Sequence, residues 1–406
     1  MRYDIFVNPG TGPLPELPSG APAGLAPLDF HRGMPDYRPT PLRSCPELAG
    51  RLGVGTTLVK DEAERMGLPS FKILGASWAT VTAVLRHWVG DLDGPPTVAR
   101  IAAAIPRRAR RRLVAATDGN HGRGVARMAR MLGVASEILV PAGTAEARVA
   151  AIESEGARVR VVDGSYDDAI AASARLADAD TLVVSDTSWE GYHETPAAVI
   201  AGYSTMFGEI DAALARHGHP GPDVVALQAG VGALAAAGLR HYRRGAGGPR
   251  TVVVEPDNAN CLMASALAGG LAEVPGPHTS TMAGLNCGRP SELAWPVVRA
   301  GADVFVAVDD AAAAEAMRAL AGAGIVAGES GAAGLAGLLA VADGGDRADR
   351  ELLGLTPGAC VLVLNTEGAT DPRNYRKVVG RTAEQVRRPS PDRAAWPGTA
   401  TPAVPR

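Results

Sequence analysis

Lys60, Lys72 and Lys377 are the three lysines among the 40 basic side chains of this chain; the rest are arginine. Lysine can serve as an amine nucleophile at neutral pH and arginine cannot, so covalent amine chemistry has three candidates. Lys72 lies in Pro69-Ser-Phe-Lys72-Ile-Leu-Gly-Ala76, ahead of a helical pattern that Ser70 is placed to cap. An amine beside the apolar Phe71 and near the positive end of a helix loses solvation and feels the dipole, and both favour its neutral, nucleophilic form. The competing reading is a surface lysine whose stem lies along the helix.

Four other segments carry hydrogen-bonding or titratable groups. Thr117-Asp-Gly-Asn-His-Gly122 falls between a strand and a helix, where backbone N–H groups and the dipole suit a carboxylate. Asp118 and His121 add titratable groups there. Gln228-Ala-Gly230-Val-Gly232-Ala-Leu-Ala235 is a glycine loop opening a helix, suited to a phosphate. It also reads as G-x-G-x-x-A, and Glu255 ends the next strand, the pattern of a dinucleotide fold with its ribose-binding acid. Val184-Ser-Asp186-Thr-Ser-Trp-Glu-Gly-Tyr192 places an acid at a strand end, and Leu364-Asn365-Thr366-Glu-Gly-Ala-Thr370 follows the last strand. Polar turns and helix caps are the plain alternative for each segment alone.

The elements that must position these groups form two series. Thr57–Lys60 reads as a strand and Gly75–Val89 as a helix. Strand-like runs recur at 113–117, 137–141, 159–163 and 181–186, then at 223–228, 251–256, 304–309 and 360–365. Helical segments separate them. In the first, Val125, Met128, Ala129 and Leu132 mark one buried face. Alternating strands and helices predict an α/β fold with parallel-rich sheets in two open lobes, the polar loops gathering in the cleft between them. The expected division is a large lobe of residues 1–84 and 200–385, a small lobe of 85–199, and a loose tail at 386–406. Residues 1–40, rich in proline and glycine, read as an extended surface arm.

Composition excludes several classes. A net charge of −3 does not support bulk capture by nucleic acid or an anionic membrane. The basic run 107–112 is short, lacks aromatic neighbours and reads as a solvated edge before a strand. No apolar stretch approaches a membrane span, and the first twenty residues lack a signal-peptide pattern. Four cysteines (Cys45, Cys261, Cys287 and Cys360) have no C-x-x-C spacing, so no metal site is expected and buried free thiols are. The expectation is a cytoplasmic protein.

Taken together, the lysine segment, the Gly-Asn-His-Gly loop and the glycine loop resemble the tryptophan-synthase-β family of fold type II pyridoxal phosphate enzymes. Further segments are similar to the diaminopropionate ammonia-lyases within it: SDTSWEGY, EPDNANCLMAS, TMAGLNCGRPSELAWPV and NTEGATDP, which with the first three bring the resemblance to about residues 38 to 377. The resemblance implies that Lys72 holds pyridoxal 5'-phosphate. It implies that Gly230, Val231, Gly232, Ala233 and Leu234 cradle the phosphate and that Asn120 meets the phenolic oxygen. Asn365 or Thr366 would face the ring nitrogen. Thr117, Asn120 and His121 would line the substrate carboxylate site.

The implied reaction is α,β-elimination of 2,3-diaminopropionate, D or L, to pyruvate and two ammonia molecules. Lys72 would serve as base for the L isomer and Asp118 for the D isomer, with Asp186 contacting the distal amino group. Members of the family are commonly homodimers acting on a small amino acid. Position 233 is Ala where the family often has Ser, a loss of about 1 kcal/mol in phosphate anchoring. Position 365 is Asn where a hydroxyl is expected. A serine- or threonine-type ammonia-lyase and a nicotinamide oxidoreductase built on Gly230 to Glu255 are the alternatives.

Overall fold

Uninterrupted runs of Val, Leu and Ala build the centre of the molecule, because strands covered by helices on both faces are apolar on both faces. The computed structural model describes residues 1–18, 25–92, 94–106, 111–117, 119–243 and 247–387. Eleven strands are found among them: β1 (Tyr3–Val7), β2 (Leu42–Ser44), β3 (Thr56–Asp61), β4 (Arg112–Ala116), β5 (Ala135–Pro141), β6 (Arg158–Val162), β7 (Thr181–Val183), β8 (Val224–Gln228), β9 (Arg250–Pro256), β10 (Val304–Val308) and β11 (Cys360–Asn365). Every residue of β8, β10 and β11 is buried.

The strands form two sheets, one ordered β1-β10-β9-β8-β11-β3-β2 and the other β6-β5-β4-β7. The smaller sheet is parallel throughout. The larger is parallel from β10 to β3 and antiparallel only at its two edges. The first edge corrects the expectation for residues 1–40. Tyr3–Val7 is paired strand rather than a surface arm, and Phe30 and His31 of the short helix Pro27–Arg32 are buried. Of the expected tail, residues 386 and 387 are helical. Val386 is buried in the helix Ala383–Arg387, and 388–406 lie outside the described residues. Of the basic run, 107–110 lie outside them too. Arg111 is buried with its guanidinium 5.0 Å from the Trp88 ring centroid, and Arg112 belongs to β4 and pairs with Glu137 at 2.7 Å, so neither forms a solvated edge. Among the described residues no helix is long and apolar enough to cross a membrane.

The helix Lys72–Val84 lies between the sheets. All of its residues after Lys72 are buried, and one apolar cluster runs through it from Leu113 and Val125 to Val225. Its neighbour is the long helix Glu194–Arg216. A Cβ at Gly202 of that helix would stand 2.5 Å from the Leu74 carbonyl oxygen, so glycine is what permits this approach.

The loop from β3 to Lys72 is anchored by buried charge. Glu209 takes Lys60 Nζ at 2.6 Å and Arg65 Nη1 at 2.7 Å, while Glu62 takes Arg65 Nη2 at 2.6 Å. All four side chains are almost completely buried. This gives Lys60 a structural role, while Lys377 is exposed. Burial works to raise the Glu209 carboxyl, but its bonds to Arg65 and the charges of Arg65 and Lys60 hold it well below the usual glutamate range. Its stabilising contribution is therefore present above pH 4.5 and is lost as pH falls through the lowered value. Glu209→Ala takes the near carboxylate from buried Lys60 and leaves buried Arg65 with Glu62 alone, and is expected to cost about 3–5 kcal/mol in chemical denaturation at pH 7. A loss below about 1 kcal/mol would show that the cluster does not anchor the loop.

Candidate active site

Six loops converge from the carboxyl ends of parallel strands, the place where α/β folds carry their sites. They follow β3, β4, β6, β7, β8 and β11. One pocket is lined by Lys72, Asn120, Asp186, Gly230, Val231, Gly232, Ala233, Leu234 and Thr366, together with Tyr166, Gln228 and Glu367.

Lys72 begins its helix, and its backbone N–H donates to Ser70 Oγ at 3.3 Å. The segment is pinned to the loop after β11, where Phe71 N donates to the Thr366 carbonyl at 3.1 Å and Gly368 N to that of Pro69 at 2.9 Å. Lys72 Nζ lies 2.6 Å from Asp186 Oδ2. Tyr166 donates its hydroxyl to the other oxygen, Oδ1, at 3.1 Å. Burial works to raise the Asp186 carboxyl, but the Lys72 ammonium, His121 and the two hydrogen bonds hold it far below the usual aspartate range. Asp186 is therefore ionised at neutral pH. Its loop is braced by Tyr192, whose hydroxyl donates to the Val183 carbonyl at 2.7 Å and accepts from Ser185 N at 3.1 Å.

On the opposite side the helix Ala233–Tyr242 starts at the pocket, after Gly232 at φ +98°. That left-handed turn aims successive N–H groups at one point, an anion cradle. Gly230 has no room for a side chain, since a Cβ there would stand 3.0 Å from Cys287 Sγ and 3.2 Å from Leu285 Cα. Thr366 Oγ1 accepts from Gln228 Nε2 at 3.0 Å, so its own O–H is left to donate. Asn120 Nδ2 donates to the buried Glu367, which also accepts from Ser330 N at 3.2 Å. Burial raises the Glu367 carboxyl against the lowering effect of Arg148, Asn120 and Ser330.

Three expected site residues stand behind the pocket wall. Thr117 Oγ1 accepts from Gly119 N and Gly122 N at 3.0 and 3.1 Å, so it shapes the turn. His121 Nε2 bonds the Val184 carbonyl at 2.8 Å, with Nδ1 4.0 Å from Asp186 Oδ2. Asn365 donates to Asp61 Oδ1 and the Val326 carbonyl, both at 2.9 Å, because alternation along β11 turns it away from the face Thr366 presents. Asp118 lies outside the described residues. Tyr166, Gln228 and Glu367 were not expected as site residues. The signals were present: Gly164-Ser-Tyr166 follows a strand, and Gln228 and Glu367 fall inside the two motifs.

The oxidoreductase reading fails at Glu255. Both of its oxygens accept backbone N–H groups, from Leu262 at 2.8 Å and Met263 at 2.9 Å, and the side chain is 1% exposed. Burial pushes its carboxyl up to about 8 despite those bonds. It caps the next helix and offers nothing to a ribose. The four cysteines are buried free thiols.

Comparison with known proteins agrees with this geometry. The model of the pyridoxal-phosphate dependent enzyme family matches residues 34–356. The diaminopropionate ammonia-lyase of Escherichia coli (strain K12) is 39% identical, over 93% of this chain and 96% of that protein. The chain belongs to the pyridoxal-phosphate dependent enzyme family, in its diaminopropionate ammonia-lyase branch. The Salmonella typhimurium (strain LT2) diaminopropionate ammonia-lyase is 36% identical, over 92% of this chain and 96% of that protein. The crystal structure of diaminopropionate ammonia lyase from Escherichia coli in complex with D-serine matches with TM-score 0.82 and 36% identity, covering 93% and 97% of the two chains. Fold type II architecture follows for this ammonia-lyase.

The residues present fit the cofactor that the family name carries. An amine lines the same pocket as a glycine-shaped anion cradle, and a hydroxyl donor lines it too. Gly232→Ala tests the cradle in this lyase. A non-glycine residue held in a left-handed conformation costs about 1–2 kcal/mol, so pyridoxal phosphate affinity is expected to fall about tenfold in an absorbance titration. Unchanged affinity would place the phosphate elsewhere.

Proposed function

We propose that this chain eliminates ammonia from 2,3-diaminopropionate, as either the D or the L isomer, giving pyruvate and two ammonia molecules with uptake of one water. The observation that carries the reading is the Lys72–Asp186 pair: a carboxylate held ionised beside an amine in the pocket that the glycine cradle lines. Such a carboxylate suits a substrate with a second cationic group. A β-hydroxyl substrate has no charge to offer it, which separates this reading from a serine- or threonine-type lyase.

When bound through Lys72, pyridoxal phosphate supplies the electron sink that lets the Cα–H bond break. Gly230 to Leu234 would hold its phosphate through backbone N–H groups. Thr366, with an oxygen lone pair engaged by Gln228, would offer its O–H to the ring nitrogen, a neutral partner that leaves that nitrogen unprotonated. Asn120, its amide fixed by Glu367, would meet the phenolic oxygen. Lys72 takes the Cα proton of the L isomer, and Asp118 takes that of the D isomer from the other face. Asp186 is too weak a base to deprotonate the β-ammonium. It keeps that group protonated, so the Cβ–N bonding pair departs with nitrogen as neutral ammonia. The released enamine takes up water and loses its second nitrogen.

Residues 1–84 and 200–385 form the cofactor-holding lobe in this reading and 85–199 the smaller one. The two sheets, which draw their strands from 3–61 with 224–365 and from 112–183, support that division. The resemblance supports a homodimer, and the buried free thiols suit the reducing cytoplasm. Borohydride treatment of the yellow holoenzyme tests the attachment: the reduced cofactor is expected on the Lys72 peptide by mass spectrometry. A label on Lys60 or Lys377, or none, would overturn the assignment.

A further inference from the structure

Tyr166 belongs to two cavities at once. It lines the inner pocket with Lys72 and Asp186, and it also lines an outer vestibule with Arg148, His278, Glu329 and Asp371. It is the first residue of the helix Tyr166–Ala174. Ser165 fixes that helix start, its side chain accepting from Asp168 N at 3.2 Å while Asp168 accepts from Ser165 N at 2.7 Å. The ring is therefore held on a rigid element at the junction of vestibule and pocket. From there the hydroxyl reaches Asp186 Oδ1 at 3.1 Å, while Oδ2 faces Lys72 Nζ at 2.6 Å.

The two oxygens of Asp186 thus have different partners. Lys72 holds Oδ2, but its amine is engaged elsewhere once it carries the cofactor or the Cα proton. Tyr166 holds Oδ1. We infer that Tyr166 is a positioning residue for substrate choice: it locks the rotation of Asp186 so that Oδ2 faces the β-ammonium of a diamino acid. A substrate with a neutral β-substituent gains nothing from that lock. The inference rests on the reading of Asp186 as the partner of the β-ammonium.

The test compares two substrates that give the same product. Diaminopropionate has a β-ammonium, and β-chloroalanine has an uncharged chlorine substituent of similar size that departs as chloride. For Tyr166→Phe holoenzyme, kcat/KM for L-diaminopropionate is expected to fall about 10- to 100-fold relative to that for L-β-chloroalanine, the value of a hydrogen bond to a charged group. The loss should sit mainly in KM. The comparison is a ratio within one preparation, so a lower yield of folded protein cancels. A general structural role would lower both substrates together, and an unchanged ratio overturns the inference. Asp186→Asn is the companion variant. If it shifts the ratio and Tyr166→Phe does not, Tyr166 is not the positioning residue and the Asp186 reading stands. If neither shifts the ratio, both are overturned.

Discussion

Lys72→Ala is expected to abolish pyruvate formation from both isomers of diaminopropionate. The amine has two duties in the proposed mechanism, anchoring the cofactor and taking the Cα proton of the L isomer. Loss of a positioned general base alone costs about 10²- to 10⁴-fold in rate, and loss of the anchor comes on top. The same variant has a second, physical signature. In the native chain the Lys72 ammonium is the main group offsetting the burial of Asp186. Without it, burial pushes that carboxyl upward, and the cost of keeping it ionised disappears as pH falls. In the native protein the Asp186 carboxyl is held well below the usual aspartate range, so the contribution of the pair is intact at both pH 7 and pH 5. With both proteins prepared as apoenzymes, the variant is therefore expected to melt below the native protein at pH 7 and to approach it at pH 5. Turnover within tenfold of the native rate would remove Lys72 from the chemistry. A melting difference that does not change with pH would remove it as the partner of Asp186.

Asp118→Asn is expected to separate the isomers. D and L substrates present their Cα protons to opposite faces of the cofactor plane, and one base cannot reach both. With Lys72 serving the L face, loss of Asp118 is expected to lower kcat/KM for D-diaminopropionate by about 10²- to 10⁴-fold. The L isomer should change by less than about tenfold. Initial-rate assays of pyruvate from each pure isomer measure this. Equal losses would mean that Asp118 acts on a step common to both, such as protonation of the leaving amine, and would end the two-base proposal.

Much of this fold was legible because its central strands are apolar on both faces. Runs such as 304–309 and 360–365 stand out in the sequence, and β10 and β11 occupy nearly those positions. The edges were not legible. Tyr3–Val7 is only partly buried and precedes proline and glycine, and Leu42–Ser44 has three residues. Such strands are defined by the partner they pair with more than by their own pattern. The site followed the same logic. Lys72, the glycine loop and Asp186 line one pocket, and the sequence marks each by residue type and by its place at a strand end or helix start. Asn365 was misplaced because one step along a strand turns a side chain to the other face, and its bonds to Asp61 and Val326 come from parts of the chain far away in sequence. Tyr166 reaches Asp186 by the fold alone. Nothing in the local Ser-Tyr-Asp sequence indicates which carboxylate its hydroxyl meets.

Product stoichiometry tests the central claim most directly. The purified holoenzyme is incubated with D- or L-2,3-diaminopropionate, and pyruvate and ammonia are measured together. The account predicts one pyruvate and two ammonia from each isomer, at rates well above those with serine. Serine turnover that matches or exceeds diaminopropionate turnover, or no pyruvate from either diaminopropionate isomer, would contradict it.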